Sequence, residues 1–97
     1  MSTFALGLDF GTNSCRSVIV DLADGTELAT HVFDYPSGEA GIIADAKDPN
    51  LARQHPRDYV AGIEAIVTSA LEQARAQNDS FDPAAVIGIG VDTTGST

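Results

Sequence analysis

The feature that most constrains the fold is a pair of apolar runs near the start of the chain, separated by a very short polar segment. Residues 4–10 and 15–22 are rich in apolar and β-branched side chains, which is the signature of strands. The segment between them consists of small, turn-forming residues. A connection this short brings the two strands side by side, so the sequence predicts a β-hairpin whose tip lies at one end of a sheet.

The predicted tip carries several groups that can bind a phosphate. Gly11 can adopt backbone angles with φ > 0, and the residues after it offer N–H groups beside short polar side chains, at Thr12, Asn13 and Ser14. Asp9 ends the first strand, where a carboxylate can hold Mg²⁺ through water, and Arg16 begins the second strand with a permanent positive charge. The same residues are also ordinary turn formers, so a purely structural hairpin remains an alternative at this point.

Two familiar nucleotide-binding motifs are excluded, and the other reactive side chains form no motif. The chain has no G-x-x-x-x-G-K-[ST], and its only G-x-G, at Gly88 and Gly90, lacks a third glycine. Cys15 is the only cysteine, so no internal disulfide can form, and it is more typical of a packed thiol than of a nucleophile. His31 and His55 lack the spacing of metal ligands.

Length and charge bound the class of protein. Ninety-seven residues suffice for one small domain. The 5 basic and 14 acidic residues give a net charge of −9, which repels nucleic acid and anionic membrane surfaces, so neither is an expected partner. The N-terminus has neither the basic region nor the long apolar core of a signal peptide or membrane span, and we expect a cytoplasmic location.

The rest of the chain extends the hairpin into an α/β fold. Asp24-Gly25 predicts a tight turn and a third strand at 26–33, which makes a three-stranded antiparallel meander. Residues 35–54 are dominated by turn formers and predict a long structureless loop, whose packing partner is expected to be missing from this chain.

A helix and a fourth strand complete the pattern. Apolar residues recur every three or four positions from Pro56 to Gln77 and predict a helix with one face on a sheet: Tyr59, Val60, Ile63, Ile66, Val67, Ala70, Leu71 and Ala74. The continuous apolar run at 86–91 is typical of a central parallel strand. A helix crossover returns the chain in the same direction, so this strand is predicted to lie beside the first and parallel to it.

A second group of small polar residues follows the fourth strand. Residues 92–97 read Asp-Thr-Thr-Gly-Ser-Thr, at the carboxyl end of a parallel strand, where ligands of open α/β sheets collect. A frayed tail is the alternative. If strands one and four are parallel neighbours, this segment and the hairpin tip line one cleft.

The hairpin tip Asp-Phe-Gly-Thr-Asn-Ser, in a β-β-β-α-β order, resembles the first phosphate motif of the actin-like ATPase and sugar-kinase superfamily, whose fold is ribonuclease H-like. Residues 7–16 are similar to the start of the FGGY carbohydrate kinases. The stretches 55–59 and 88–97 are most similar to members that phosphorylate L-ribulose in L-arabinose catabolism. The resemblance covers nearly the whole chain and implies an ATP- and Mg²⁺-dependent sugar kinase.

The resemblance also implies roles for individual residues. Asp9 takes the position that orders Mg²⁺ through water, and Arg16 the position near the γ-phosphate. The remaining ATP phosphate contacts are implied at Gly11, Thr12, Asn13 and Ser14. Gly95 and Ser96 occupy positions that contact the sugar in related kinases.

Such kinases are several times longer than this chain and close two domains on their ligands. The resemblance therefore implies that residues 1–97 are the N-terminal part of the first domain. The general base, the second phosphate motif and the adenosine pocket are expected after Thr97, so no catalytic residue is expected in this chain, and the chain alone is expected to be inactive. Later elements would normally cover the face of the 35–54 loop and the sheet edge beside strand four, so exposed apolar surface is expected there and is expected to promote self-association. The alternatives are a kinase of D-ribulose or xylulose, and a non-catalytic actin-like assembly module.

Overall fold

The computed structural model describes residues 2–48 and 50–94, which form a mixed β-sheet covered on one side by a long helix. The secondary structure elements are, in chain order, β1 (Phe4–Phe10), β2 (Ser14–Asp21), β3 (Glu27–Asp34), β4 (Ile43–Ala44), β5 (Ala52–Arg53), α1 (Pro56–Gln77), a 3₁₀ turn (Pro83–Ala85) and β6 (Val86–Thr93).

The main sheet has the strand order β3-β2-β1-β6. The strands β1, β2 and β3 form an antiparallel meander, and β6 runs parallel to β1. The predicted meander, crossover helix and parallel fourth strand are therefore confirmed. The register places Asp9 opposite Arg16 on β2 and beside Asp92 on β6.

The helix begins and ends where the sequence predicts. Pro56 occupies the first turn, where its missing N–H costs nothing, and the His55 side chain caps the helix by accepting a hydrogen bond from the Arg57 N–H at 3.1 Å. The helix lies over β2 and β3. The buried Ser17 hydroxyl on β2 donates to the Ile66 carbonyl at 2.7 Å, which fastens the middle of the helix to the sheet.

The core lies between this helix and one face of the sheet. Alternate residues of the strands point into it, as expected for a half-buried sheet. The core residues are Phe4, Leu6, Leu8, Phe10, Cys15, Ile19, Ala29, Tyr35, Ile66, Ala70, Ala74 and Phe81.

The predicted apolar face of the helix is wider than the face that is buried. Val60 and Ile63 are exposed, whereas Asp58 and Gly62 are buried. Gly62 allows the close approach, because a Cβ there would lie 2.5 Å from the Cys15 Sγ. Apolar periodicity identifies the side of a helix that faces the core, but the width of the covered stripe depends on the sheet.

The prediction of a structureless loop at 35–54 is wrong. The strands β4 and β5 pair as a small antiparallel hairpin, and Tyr35 is buried in the core. The Ser37 hydroxyl donates to the buried Asp58 carboxylate at 2.7 Å, which ties the segment to the start of α1. Two-residue strands are too short to produce a periodic sequence signal.

The predicted fourth strand is present beside β1, and its far edge is uncovered among the residues described, as the sequence predicts for a chain whose later elements would cover it. Only one side of β6 is paired, so β6 is an edge strand. Its apolar side chains Ile87, Ile89 and Val91 are exposed. Its continuous apolar run is typical of a strand covered on both faces, and neither face of β6 is covered here.

Candidate functional site

The hairpin tip is closed by a hydrogen bond from the Gly11 N–H to the Ser14 carbonyl at 2.8 Å, which leaves Thr12 and Asn13 as a two-residue loop. Gly11 does not use the left-handed region that the sequence suggested, since among the described residues the glycines with positive φ are Gly25, Gly38 and Gly41. A Cβ at position 11 would lie 3.0 Å from the Ser14 carbonyl oxygen, so a larger residue would require the turn to shift slightly.

Residues far away in sequence hold the carbonyl groups of the tip. The Thr12 carbonyl accepts a hydrogen bond from the Gln54 side-chain amide at 2.7 Å, and the Asn13 carbonyl accepts from the Tyr35 N–H at 3.0 Å. Gln54 is itself held by a short hydrogen bond from the Tyr59 hydroxyl. The tip is therefore fixed to the 35–54 segment through its acceptors.

The donors of the tip remain available. Within residues 2–48 and 50–94, the N–H groups of Thr12 and Asn13 donate to no protein group, and both residues are exposed. The Asn13 side chain is already used, because its amide donates to the Ala40 carbonyl at 2.8 Å. Bound carbonyls beside free N–H groups give the tip the polarity of an anion-binding concavity.

Charged residues gather beside the tip on the face of the sheet opposite α1. Asp9, Arg16 and Asp92 are strand partners, and partners on adjacent strands lie about 5 Å apart between their Cα atoms on the same face. All three side chains are exposed, and no ion pair joins them in the part of the chain that is described. Two carboxylates and one guanidinium thus point to the same open space.

That space is an open pocket of about 670 Å³. Gly7 and Gly90 contribute no side chains, so nothing projects from the sheet into the pocket at these two positions. The pocket is lined by Gly7, Leu8, Asp9, Arg16, Ser17, Val18, Glu27, Thr30, Gly90, Val91 and Asp92.

Asp92 belongs to the polar segment that the sequence predicts to line the cleft, but the sequence assigns it no role of its own. The sequence placed it at the start of a polar segment after the fourth strand. The structure places it within β6, level with Asp9 on β1. The strand register could have indicated this role, because Asp9 and Asp92 occupy equivalent positions on two adjacent parallel strands.

The two predicted sugar-contacting residues, Gly95 and Ser96, lie outside the described residues. The residue before them is placed, since the Thr94 N–H donates to the Phe10 carbonyl at 2.8 Å. The chain therefore reaches position 94 beside the first tip, as the predicted common cleft requires.

Asp9 and Asp92 suit a magnesium ion that keeps some of its waters better than a metal ion whose ligands all come from the protein. Among the described residues, no group of three or more His, Cys, Asp or Glu side chains could hold a metal ion. Mg²⁺ keeps several waters and usually binds one or two carboxylates together with substrate phosphates. Asp9 and Asp92, exposed at the edge of a pocket next to free N–H donors, match that requirement.

Cys15 and Tyr35 lie under the tip and are not available for chemistry. Burial raises the pKa of the Cys15 thiol, which keeps it protonated and unreactive. Burial also raises the pKa of Tyr35, and the negative charges that Cys15, Tyr59 and the nearby aspartates acquire on ionisation add to that shift. The Tyr35 hydroxyl lies near enough to the Cys15 thiol to offset part of the rise in the thiol's pKa, but among the residues described it has no partner in hydrogen-bonding geometry.

No protein-family model matches the chain. It is similar to ribulokinase of Geobacillus thermodenitrificans, with 38% identity over 97% of this chain and 16% of that protein. It is also similar to the ribulokinases of Vibrio parahaemolyticus, with 37% identity over 95% of this chain and 15% of the relative, and of Mycolicibacterium smegmatis, with 33% identity over 97% of this chain and 17% of the relative.

These relatives confirm the resemblance to ribulokinases that the sequence predicts. The chain spans about 16% of the length of the first relatives, which is consistent with the predicted fragment. Among the helices described, none has the length and apolar character needed to cross a lipid bilayer.

Proposed function

We propose that this chain is the first phosphate-binding part of a ribulokinase, an enzyme that in its whole form transfers the γ-phosphoryl group of ATP to L-ribulose. The observation that carries the proposal is the anchored tip, whose carbonyls are held by Gln54 and Tyr35 while the Thr12 and Asn13 N–H groups are free. The central N–H groups of an ordinary two-residue hairpin are also free, but its carbonyls need not be held by groups distant in sequence, as those of Thr12 and Asn13 are here.

Each residue has a proposed role in that transfer. The N–H groups of Gly11, Thr12, Asn13 and Ser14 are candidates for holding phosphate oxygens, although the Gly11 N–H already closes the hairpin. Arg16 neutralises charge on the transferred group. Asp9, joined by Asp92, orders Mg²⁺ through water. Mg²⁺ supplies charge neutralisation when bound, and positioning with charge neutralisation accounts for most of the catalysis in phosphoryl transfer.

The proposal extends to the fold and the missing parts. The β3-β2-β1-β6 order with one crossover helix is the arrangement expected at the start of an actin-like, ribonuclease H-like domain. We assign residues 1–97 to the N-terminal part of the first FGGY domain, with the general base and the adenosine pocket supplied by later residues. Gly95 and Ser96 remain the proposed sugar contacts. The free Cys15 thiol suits a reducing compartment, and we place the enzyme in the cytoplasm.

A chimera provides the test of function. This chain replaces the matching segment of the Geobacillus thermodenitrificans ribulokinase, and ADP formation is measured with ATP, Mg²⁺ and L-ribulose, D-ribulose or D-xylulose. We expect L-ribulose to be the preferred substrate. Asp9→Asn or Arg16→Gln should each lower turnover about 100- to 1,000-fold, as expected for loss of one group that stabilises transferred charge.

Matched controls carry the same chemical change elsewhere. Asp79→Asn follows the helix and Arg75→Gln lies in its last turn, and both positions are exposed. These two variants should retain turnover within about two-fold. A folded chimera in which Asp9→Asn and Arg16→Gln are equally silent would contradict the proposed roles, and preference for D-xylulose would contradict the proposed substrate.

We propose that the 97-residue chain alone has no kinase activity, because one phosphate loop cannot enclose ATP. Saturable ADP formation by the purified chain, dependent on L-ribulose, would overturn this. We also propose weak self-association at high concentration through the exposed apolar residues of α1 and β6. Sedimentation equilibrium tests it, and a strictly monomeric chain at high concentration is the contrary result.

A further inference from the structure

Two side chains form a relay of hydrogen bonds between α1 and the hairpin tip. The Tyr59 hydroxyl donates to the side-chain oxygen of Gln54, and the side-chain nitrogen of Gln54 donates to the Thr12 carbonyl at 2.7 Å. Gln54 and Tyr59 are both half-buried. Gln54 lies 42 positions after Thr12, so only the tertiary fold brings the two together.

The donors and acceptors of the relay match along its length. A carbonyl oxygen can only accept, so Gln54 turns its nitrogen to Thr12 and its oxygen to the Tyr59 hydroxyl, which then donates. The Tyr59 ring packs against Phe10 and Tyr35, with ring centroids 5.9 and 5.3 Å apart. The relay therefore begins at an aromatic ring packed on the core and ends on the tip.

The relay acts on one particular peptide group. A trans peptide group is planar, so its C=O and N–H point in opposite directions, and no cis peptide bond occurs in the part of the chain that is described. Holding the Thr12 carbonyl therefore fixes the direction of the Asn13 N–H. That N–H has no acceptor within residues 2–48 and 50–94.

A two-residue turn allows this peptide group two directions. Turns of types I and II differ in the direction of the peptide between their two central residues, and type II requires φ > 0 at the second of them. The second central residue here is Asn13, and asparagine tolerates positive φ better than most residues. Asn13 does not have positive φ, since Ala40 is the one non-glycine residue described that does. The sequence thus permits both directions, and the structure has one of them.

We infer that Gln54 and Tyr59 are positioning residues, which hold the peptide group between Thr12 and Asn13 in the direction that presents the Asn13 N–H to a phosphate oxygen of ATP. The identity of this ligand rests on the proposed function. Gln54 binds the carbonyl end of the peptide group, and the ligand meets the other end. A tip that flips part of the time binds in proportion to the fraction that keeps this direction. Loss of the relay therefore weakens ATP binding and leaves the transfer step unchanged.

The direction of the peptide group is measured by NMR in the 97-residue chain and needs no activity. Gln54→Met keeps the side-chain length and loses both hydrogen bonds, whereas Tyr59→Phe loses only the hydroxyl. The NOE between the amide and α protons of Asn13 is strong when φ is positive. We expect it to be weak in the parent chain and stronger in both variants, most of all in Gln54→Met. Gln77→Met, at the exposed last residue of α1, is the control and should keep the parental NOE.

The effect on the ligand is measured in the chimera with the Geobacillus thermodenitrificans ribulokinase. We expect Gln54→Met to raise the KM for ATP about 10-fold with kcat changed by less than about two-fold, as for the loss of one hydrogen bond that sets a competent fraction. Tyr59→Phe should raise this KM about 3-fold. The double variant should match Gln54→Met within about two-fold, because the hydroxyl acts only through Gln54. The KM for L-ribulose should not change, and Gln77→Met should alter none of these values.

The contrary results are distinct from those that bear on the proposed function. An Asn13 NOE that stays parental in both variants overturns the positioning role, whether or not the chimera folds. A fall in kcat at unchanged KM for ATP in Gln54→Met would overturn it too, since Gln54 would then act on the transferred group. A chimera in which Asp9→Asn and Arg16→Gln are silent contradicts the kinase roles, and the NOE still decides what Gln54 does to the tip.

Discussion

The closest approach between helix and sheet provides a sharp test of the packing. Gly62 on α1 faces β2 and β3, and a Cβ at this position would lie 2.5 Å from the Cys15 Sγ and 3.3 Å from the Phe33 Cδ2. Favourable contacts between non-bonded heavy atoms are about 3.5–4.0 Å. The change Gly62→Ala therefore forces the thiol, the ring or the helix to move.

The size of the effect follows from two opposing terms. Overpacking a core costs about 1–3 kcal/mol, and the 2.5 Å contact with a strand residue argues for the upper end. Alanine gains about 1 kcal/mol over glycine inside a helix. We expect Gly62→Ala to lower the free energy of unfolding by about 2 kcal/mol, taking the first figure less the second.

A second change isolates the cause. Cys15→Ala removes the sulfur and costs about 1 kcal/mol for the lost buried group. In the double variant the new methyl group fills the space left by the sulfur, so the two costs should not add. We expect a coupling free energy of about 2 kcal/mol between the two sites.

The free energy of unfolding is measured for the parent chain, the two single variants and the double variant by urea unfolding at one protein concentration, followed by circular dichroism. Ala61→Gly on the exposed side of the same helix turn is the control, and it should cost about 1 kcal/mol from helix propensity alone. Additivity of the Gly62 and Cys15 changes within about 0.5 kcal/mol would refute the packing argument. A Gly62→Ala variant that is more stable than the parent chain would refute it too.

Three further predictions concern buried polar groups. Tyr35→Phe removes a buried hydroxyl that lacks a partner among the described residues, so urea unfolding should show unchanged stability or a gain of about 1 kcal/mol; a clear loss would reveal a bonding partner. Ser17→Ala leaves the Ile66 carbonyl unpaired and should cost about 1–3 kcal/mol in the same assay, and no cost would contradict the helix–sheet bond. Burial raises the pKa of the Cys15 thiol above its ordinary 9.0, so the folded chain binds this proton more tightly than the unfolded chain; the stabilisation is complete below about pH 9 and is lost as pH rises through the folded-state value. Unfolding curves from pH 7 to 10.5 should show a smaller decline in Cys15→Ala, and identical declines would refute the linkage.

The parts of the fold that the sequence predicted are those that depend on short-range signals. Pro56 and the three- and four-residue apolar spacing define α1 from its first to its last residue. The short connection at 11–14 and the Asp24-Gly25 turn define the meander, and a crossover helix then returns the last strand parallel to the first.

The parts that were missed depend on contacts between distant segments. Val60 and Ile63 fit the apolar period of α1 but are exposed, while Gly62 is buried because the helix approaches Cys15 closely. Asp92 acquires its place in the candidate site only through the register between β1 and β6. No local pattern in the sequence encodes either relation.

The hairpin tip, as a candidate phosphate site, depends both on short-range sequence signals and on contacts between distant segments. A turn of Gly, Thr, Asn and Ser is common, and its sequence does not specify which way its peptide groups point. Here the orientation depends on contacts to residues 22–42 positions away along the chain, since Gln54, Tyr35 and Ala40 take up the tip's carbonyls and the Asn13 amide. The 35–54 segment is in turn fixed to α1 by Ser37 and Asp58. Binding the tip's carbonyls while its N–H groups have no protein acceptor is therefore a property of the whole domain, and the long segment that looked structureless in sequence supplies the groups that bind them.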